Sequence, residues 1–248
     1  MLSIFSKPKS HIPSGYFPIR TDIHSHILPG IDDGAPDVST SITLVKGLME
    51  AGVTRSIATP HIISDLYPNN AESIHKALEK LKNELVKQQI DFEVSAAAEY
   101  MMDSYFLELL QKKVPLLTLS NNIILTEFPF AFMPDHVEDI SFAIFTEGYQ
   151  PILAHPERYG YTHGNYKVYH RWAEIGFHLQ LNLLSLTGYY GNEVAKAARY
   201  LLKHDLVSYV GTDMHHGRHL EVLKSPESIK IFHEYLGGRE WNIAFNQN

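Results

Sequence analysis

Short apolar runs alternate along the chain with longer stretches in which apolar residues recur every three or four positions. Seven of these runs predict β-strands, at residues 19–24, 54–59, 92–98, 122–126, 151–154, 177–181 and 206–212. The stretches between them predict amphipathic helices; Val38, Ile42, Val45 and Met49, for example, share one helical face, and that helix ends at Gly52. Strands that alternate regularly with helices predict a parallel sheet.

This pattern continues without a break in composition, which predicts one domain at residues 19–238. An irregular lead-in, 1–18, precedes the domain, and a short tail, 239–248, follows it. A (β/α) barrel typically has about 250 residues, so the length of 248 residues favours a barrel. An open, doubly wound sheet is the alternative, because the pattern does not give the order of the strands.

The amino-acid composition narrows the chemistry that the chain can perform. It contains no cysteine, 15 histidines and a net charge of −7. Disulfides, thiolate metal sites and a cysteine nucleophile are therefore excluded, and the acidic balance argues against nucleic-acid binding. The sequence has no apolar run long enough to cross a membrane and no secretory signal at its N-terminus. We therefore expect a cytoplasmic protein that is not embedded in a membrane.

Six of the seven predicted strands end in histidines or carboxylates. These residues are His24 with His26, His61, Glu99, Glu127, His155, and Asp213 with His215; the remaining strand ends in Asn182. The carboxyl ends of barrel strands meet on one face, where active sites are built. One such residue alone is more commonly a hydrogen-bonding group than a metal ligand. The coincidence at six ends predicts a centre of two or three divalent ions with nitrogen and oxygen ligands.

The remaining histidines are expected to lie outside this centre. They are His11 in the lead-in, His178 inside a strand, and His75, His204 and His233 on or beside helices. Candidates for the mouth of the site are His136, His163, His170, His216 and His219.

Five segments of the chain resemble a known superfamily. They read DIHSHILPGIDDG at 22–34, ATPH at 58–61, AEY at 98–100, LAHPERY at 153–159 and TDMH at 212–215. Together they resemble the PHP (polymerase and histidinol phosphatase) superfamily. They are most similar to its manganese-dependent bacterial protein-tyrosine phosphatases, which belong to capsular and exopolysaccharide operons.

The resemblance implies a distorted (β/α)7 TIM-like barrel with three divalent ions, most simply Mn²⁺, with Fe, Zn or Mg as alternatives. It implies that His24, His26, Glu99 and Asp213 hold the first ion, and that Glu99 bridges to a second ion held by Glu127 and His155. It assigns Asp33, His61 and His215 to the third ion. It also implies a phosphate-binding arginine at Arg158, and a second at Arg218, which stands closer to Asp213 than the family spacing.

The implied activity is hydrolysis of phosphotyrosine by a hydroxide that bridges two ions. The substrate would be a tyrosine-phosphorylated protein, the C-terminal tail of a membrane tyrosine autokinase that controls polysaccharide synthesis and export. Alternatives are another PHP phosphoesterase, such as histidinol-phosphate phosphatase, and a non-catalytic metal-binding protein. The oligomeric state stays open.

Several loop side chains have two interpretations at this stage. They either form an apolar wall for a phosphotyrosine ring or take part in ordinary loop packing. They are Tyr67, Phe128, Phe130, Phe132 and Met133.

Overall fold

Two parallel sheets form the centre of the fold in the computed structural model, which describes residues 16–246. The strands are β1 (Thr21–Asp22), β2 (Arg55–Ala58), β3 (His61–Ile62), β4 (Glu93–Ala96), β5 (Glu99–Met101), β6 (Ile123–Glu127), β7 (Gln150–Ala154), β8 (His178–Asn182) and β9 (Val207–Gly211). One sheet has the order β1-β2-β4 and the other β3-β5-β6-β7-β8-β9. Every pair of neighbouring strands is parallel, which confirms the α/β class predicted from the sequence.

Two of the predicted strands are each followed by an additional short strand. The runs 54–59 and 92–98 contain β2 and β4, and β3 and β5 follow them after short breaks. Pro60 stands in the first break, and a proline has no backbone N–H for a sheet ladder. Hydrogen bonds nevertheless continue through both breaks, because Ala97 N donates to Ala58 O at 2.8 Å and Glu99 N to Pro60 O at 3.1 Å.

The segments that follow the first and last strands also contact each other. Asp213 N donates to His24 O and His26 N donates to Met214 O, each at 2.8 Å. These bonds bring the carboxyl end of β9 beside that of β1, so residues at both ends of the domain meet on one face.

Helices cover the strands on the outside. They are α1 (Val38–Ala51), α2 (Ala71–Lys87), α3 (Ser104–Gln111), α4 (Val137–Thr146), α5 (Lys167–Glu174), α6 (Leu183–Leu186), α7 (Asn192–Lys203), α8 (Gly217–Leu223) and α9 (Pro226–Leu236). The expected local signals are present in α1, where Asp37 caps the first turn by accepting from Thr40 N at 2.8 Å and Gly52 ends the helix with φ 103°. The sequence did not predict α3, α6 or α8.

Alternating side chains of the strands pack into two apolar layers. On β7, Ile152 and Ala154 belong to an inner cluster, whereas Leu153 packs into the layer beneath the helices. Residues from both sheets meet in the inner cluster, including Ile23, Ile57 and Leu125. This interior supports the polar residues at the strand ends.

The inner cluster also includes Phe245, which belongs to the segment predicted as a tail, 239–248. Phe245 is 2% exposed and Trp241 is 4% exposed, so the described part of this segment packs onto the fold through two aromatic side chains. Most of the predicted lead-in, including His11, and residues 247–248 lie outside the described residues. The boundaries at residues 19 and 238 stay predictions. Among the described helices, none has the length and apolarity that a membrane span requires.

Candidate metal centre

The nine predicted metal ligands lie at strand termini or in the loops that follow the strands. His24 and His26 follow β1, His61 begins β3, Glu99 begins β5, Glu127 ends β6, His155 follows β7, Asp213 and His215 follow β9, and Asp33 lies in the loop before α1. The structure therefore brings together residues that are spread over most of the chain.

Glu99 occupies the middle of this group. Its Oε2 atom lies 3.2 Å from His24 Nε2, 3.4 Å from His26 Nε2 and 3.2 Å from His61 Nδ1. Its Oε1 atom lies 3.1 Å from His155 Nε2. Imidazole nitrogens therefore surround both oxygens of Glu99. This is the arrangement expected of the bridging carboxylate that the resemblance assigned to Glu99.

The other carboxylates surround Glu99. Asp213 Oδ1 lies 3.5 Å from the Nε2 atoms of both His24 and His26. Asp33 Oδ1 lies 3.5 Å from the Nε2 atoms of both His61 and His215.

Glu127 Oε1 lies 2.9 Å from His61 Nδ1. Sets of donor atoms that lie within 4.8 Å of one another are His26-Asp33-His61-His215, His24-His26-Asp213, His24-Glu99-His155 and His61-Glu99-Glu127. These sets contain all nine residues. In them Glu127 shares a set with His61, whereas the resemblance paired it with His155.

The donor atoms fit divalent cations. Glu99 is 0% exposed, yet neither of its oxygens has a hydrogen-bond partner of acceptable geometry among the described residues. The same holds for Glu127 Oε1, His61 Nδ1 and His155 Nδ1. Buried carboxylates are costly unless they are paired or coordinate a metal. Imidazole nitrogens and carboxylate oxygens, with no sulfur, suit Mn, Fe and Zn.

The electrostatics of the centre favour positive charge among its carboxylates. Burial alone would lower the pKa of His24, but the carboxylates of Glu99 and Asp213 outweigh it and raise that pKa to about 9. Burial alone would raise the pKa of Glu99, but the neighbouring His24 and His61 hold it well below its usual range. Protons and metal ions therefore compete for the same nitrogen atoms.

A second layer of polar residues orients these ligands. His26 Nδ1 lies 2.8 Å from Asp32 Oδ2, and His24 Nδ1 lies 2.8 Å from Gln180 Oε1. Hydrogen bonds of this kind fix the ring of a metal-binding histidine and its tautomer. The sequence analysis missed both partners. Gln180 stands two residues before the strand end at Asn182, on the same face of β8, and that periodicity is the signal that would have found it.

Asn182 also belongs to this second layer. Its Nδ2 donates to Asp213 Oδ2 at 2.7 Å, and its own Oδ1 accepts from Leu184 N at 3.0 Å. The amide at the end of the sixth predicted strand is thus tied to a predicted ligand.

Two of the predicted ligands have an unfavourable backbone conformation. His155 has φ 36° and Asp213 has φ 51°, in the left-handed region that residues with a Cβ rarely adopt. Such residues persist where the surrounding structure determines them, and they cluster at functional sites. Both sharp turns come directly after a strand, so they direct the two side chains into the centre.

Arg158 reaches the same centre. Its Nη1 donates to Asp213 Oδ2 at 2.6 Å, and its guanidinium lies 4.3 Å from the ring centre of Tyr190 and 5.0 Å from that of Phe130. The neighbouring Glu157 is directed elsewhere. Glu157 is buried and accepts from Asn182 N and from the Ser185 hydroxyl, at 2.9 and 2.6 Å.

A cavity of about 270 Å³ opens above the centre. Its lining residues are Asp33, His61, Glu127, Phe130, His155, Arg158, Tyr190, Asp213, His215, His216 and His219. Of the five histidines proposed for the mouth, His216 and His219 thus line the cavity. Arg218 is exposed and is not among the lining residues; its guanidinium lies 5.8 Å from the ring centre of Tyr189.

The loop side chains divide between the two interpretations. Phe128 is fully buried against Tyr159 and Trp172, so it is part of the core. Phe130 lines the cavity, and its ring stacks on His155 at 5.6 Å between centres. Tyr67 stacks on His61 in the same way, also at 5.6 Å. Two further side chains, Phe132 and Met133, are exposed.

Comparison with known proteins identifies the family of this chain. Residues 20–230 match the family described as capsular polysaccharide synthesis, CpsB/CapC. The chain belongs to the CpsB/CapC family. This confirms the recognition made from the sequence motifs.

Its relatives in the CpsB/CapC family include named tyrosine phosphatases. Tyrosine-protein phosphatase YwqE of Bacillus subtilis is 31% identical over 194 residues, which cover 78% of this chain and 76% of the relative. The putative tyrosine-protein phosphatase CapC of Staphylococcus aureus is 27% identical over 219 residues, which cover 87% and 86%. A solved structure from work on YwqE and on CpsB from Streptococcus pneumoniae, described as metal-dependent tyrosine phosphatases, has a TM-score of 0.78 at 29% identity and covers 88% of each chain.

More distant structures share the fold. A lactonase from Listeria monocytogenes has a TM-score of 0.54 at 11% identity, covering 88% of this chain and 92% of that one. An amidohydrolase from Mycoplasma synoviae has a TM-score of 0.52 at 13% identity, covering 89% and 82%.

Proposed function

We propose that this chain is a metal-dependent protein-tyrosine phosphatase of capsular polysaccharide synthesis. The observation that carries the proposal is a centre in which five imidazoles and four carboxylates converge, while both oxygens of the buried Glu99 lack hydrogen-bond partners among residues 16–246. Arg158 extends into the same cavity. The tyrosine phosphatases named among the relatives support the substrate class.

The two sheets, in this proposal, are parts of one distorted (β/α)7 barrel. Support comes from the hydrogen bonds between the segments after β1 and β9. The hydrogen bonds that continue through the breaks between β2 and β3 and between β4 and β5 also support it. The inner apolar cluster, to which strands of both sheets contribute, also supports it. In a barrel of this kind, the loops after the strands build the active site.

The ligands would divide among three ions as the resemblance implied. His24, His26, Glu99 and Asp213 would hold one ion, Glu127 and His155 would complete the second set, and Asp33, His61 and His215 would hold the third. The Asp33 carboxylate between His61 and His215 supports the third set. Mn²⁺ is the proposed ion, since the donor set is all nitrogen and oxygen.

Bound divalent ions would supply a nucleophile at neutral pH, because they lower the pKa of bound water, and they would polarise the phosphoryl oxygens. Arg158 is the residue that binds the phosphoryl group, since a guanidinium presents two donors that match two of its oxygens. Its stacking on Tyr190 and Phe130 holds the guanidinium plane in place before substrate enters. Tyr190 and Phe130 thereby position Arg158 rather than react.

The leaving group needs little help from the protein. Tyrosine has a pKa near 10, so its phenolate leaves more readily than the alkoxide of serine or threonine.

Arg218 is proposed as a second phosphate-binding residue that approaches from the exposed start of α8. The proposed substrate is a tyrosine-phosphorylated protein, namely the C-terminal tail of a membrane tyrosine autokinase. The reaction takes place in the cytoplasm.

Turnover by the purified, metal-loaded chain tests the proposal. We expect Mn²⁺-dependent hydrolysis of a phosphotyrosine peptide, with a much lower kcat/KM for the matching phosphoserine peptide and for histidinol phosphate. Exhaustive chelation should abolish the activity, and added Mn²⁺ should restore it. A preference for histidinol phosphate would assign the chain to another phosphoesterase class. Full metal occupancy without turnover of any of these substrates would indicate a non-catalytic metal-binding protein.

A further inference from the structure

The loop between β6 and α4 carries an exposed apolar surface next to the proposed active site. It begins directly after Glu127, and within four residues Phe130, Phe132 and Met133 are 45%, 63% and 48% exposed. Large contiguous apolar patches in solvent mark interaction sites, whereas single exposed apolar side chains are ordinary. We call Phe132 and Met133 the lip.

The base of this loop is firmly held. Phe128 is 0% exposed, its ring lies 5.1 Å from that of Trp172, and its backbone N–H donates to the Tyr159 hydroxyl at 2.9 Å. Pro129 and the buried Pro134 restrict the backbone on either side of the apolar side chains. A loop anchored in this way presents its side chains with little loss of conformational entropy on binding.

Phe130 connects the lip to the cavity along the chain. Phe130 lines the cavity beside Arg158 and His155, and Phe132 follows it by two residues. The cavity volume of about 270 Å³ is small beside the 300–1,000 Å³ of ordinary ligand pockets. It has room for a phosphorylated ring but not for the residues that flank it, so the flanking residues of a protein substrate must lie on the rim.

We propose that the lip binds an apolar side chain adjacent to the phosphotyrosine of the protein substrate. This rests on the proposed function and adds a sequence preference to it: the phosphoryl group enters the metal centre while the neighbouring apolar residue packs on Phe132 and Met133. The preference acts on peptide binding, because the lip does not line the cavity in which the bond breaks.

The test uses the metal-loaded chain with Phe132 and Met133 both replaced by serine. Three probes are compared: a peptide whose phosphotyrosine has leucine neighbours, the same peptide with serine neighbours, and phosphotyrosine alone. Binding is measured by fluorescence polarisation with non-hydrolysable phosphonate versions of the peptides, and turnover is measured with the phosphorylated forms. Phe142→Ser is the matched control, since Phe142 is 74% exposed on the outer side of α4.

We expect the double variant to bind the leucine-flanked peptide about five- to tenfold more weakly, the loss that follows from exposing part of two apolar side chains. Its kcat/KM on that peptide should fall by a similar factor relative to phosphotyrosine alone, through KM. The serine-flanked peptide and the Phe142→Ser variant should show no such change.

Equal affinity of the double variant and the wild type for the leucine-flanked peptide would overturn the lip proposal. If sedimentation shows that the wild type is a dimer and the double variant a monomer, the lip is a surface for self-association instead. Failure of the wild type to hydrolyse any of the three probes would count against the proposed function, whereas the binding comparison with the phosphonate peptides would still test the lip.

Discussion

Asp32 and Asp33 are chemically identical neighbours in the chain, and their surroundings give them different tasks. Asp33 is half exposed and directs Oδ1 between His61 and His215. The Asp32 side chain is fully buried, approaches His26 Nδ1 and accepts from the backbone N–H groups of Gly34 and His61, at 3.0 and 3.2 Å. The motif alone indicates an acidic pair, whereas these roles depend on which way each side chain turns.

Asp32→Asn should therefore weaken metal binding without removing a ligand. An amide is a weaker acceptor for the imidazole N–H than a carboxylate, so His26 is less firmly oriented. Loss of such a partner typically costs 10–100-fold in metal affinity, and we expect a loss of about that size for one ion in Mn²⁺ titration calorimetry. Asp37→Asn is the control, because asparagine also caps a helix and Asp37 caps α1. Equal Mn²⁺ affinity in the two variants would contradict this role of Asp32.

Arg158→Lys separates phosphate binding from general electrostatics. Lysine keeps the charge beside Asp213 but lacks the planar fork that binds two phosphoryl oxygens. We expect kcat/KM on a phosphotyrosine peptide to fall about ten- to a thousandfold, by analogy with single transition-state donors worth roughly 2–4 kcal/mol. Metal content should not change, since the guanidinium is not a proposed ligand. Arg171→Lys, in the exposed ion pair with Glu138, is the control. A fall in kcat/KM no larger than in that control would count against phosphate binding by Arg158.

Glu157 is a buried carboxyl whose ionisation weakens the fold. Burial raises its pKa to about 7, although Ser185 and the backbone of Asn182 donate to it. The folded state thus holds a proton that the unfolded state, with a pKa near 4.5, has released. The stability contributed by this group is complete below pH 4.5 and is lost as the pH rises through 7.

Glu157→Gln should remove this loss, because the amide oxygen can still accept from Asn182 N and Ser185 while carrying no charge. The wild type should lose stability between pH 4.5 and pH 8, while the variant should not. The free energy of unfolding of the variant minus that of the wild type should therefore rise by about 3 kcal/mol over this range. Urea denaturation of the metal-free proteins at several pH values measures it. A constant difference across this range would show that Glu157 does not titrate on folding.

Individual elements were predictable to different degrees, for physical reasons. The strand ends were accessible because β-branched and apolar runs stop abruptly at polar residues, as at Glu127 and His155. The strand β3 was not predicted, because the run 54–59 ends before Pro60 and β3 has only two residues. The helix α8 was missed because it has only seven residues and begins two residues after the proposed ligand His215, which leaves only a short periodic pattern.

Gly211 illustrates a constraint that appears only when elements are packed. It ends β9, and a Cβ there would lie 2.7 Å from His24 Cβ and 2.9 Å from Gln180 Nε2. The sequence shows a glycine before Thr212 and Asp213, but not that β1 and β8 approach it from both sides.

Gly211→Ala should displace His24 or the Gln180 side chain that holds its ring. Overpacking of this kind typically costs about 1–3 kcal/mol, and we expect that loss in thermal or urea unfolding together with weaker Mn²⁺ binding. Gly217→Ala is the control, since a Cβ there meets nothing within 4 Å. Wild-type metal affinity in Gly211→Ala would show that this approach has no bearing on the centre.

At the scale of the whole molecule, the sequence predicted the convergence and the family but not the interior connections. Parallel strand ends must share a face, so eight of the candidate ligands could be listed before any coordinates, and the family resemblance added Asp33. The pairing of Glu127 with His61, the direction of Arg158 towards Asp213 and the packing of Phe245 depend on distances between distant segments. Such contacts have no local pattern in the chain.

The centre joins segments from residue 24 to residue 215, so its ions should stabilise the whole fold. An ion that binds only the folded state, present at a hundred times its Kd, adds about 2.7 kcal/mol to the free energy of unfolding. This corresponds to about 5–10 °C in Tm for a chain of this size.

Ions also displace protons from His24, whose pKa of about 9 exceeds its unfolded value of 6.5. The stability that the protonated imidazole gives the metal-free protein is present below pH 6.5 and is lost as the pH rises through 9. The difference in Tm between Mn²⁺-loaded and chelated protein should therefore be larger at pH 8 than at pH 6, as calorimetry would show. His75→Ala, outside the centre, should behave as wild type, whereas a Tm that chelation leaves unchanged at both pH values would refute a structural role for the ions.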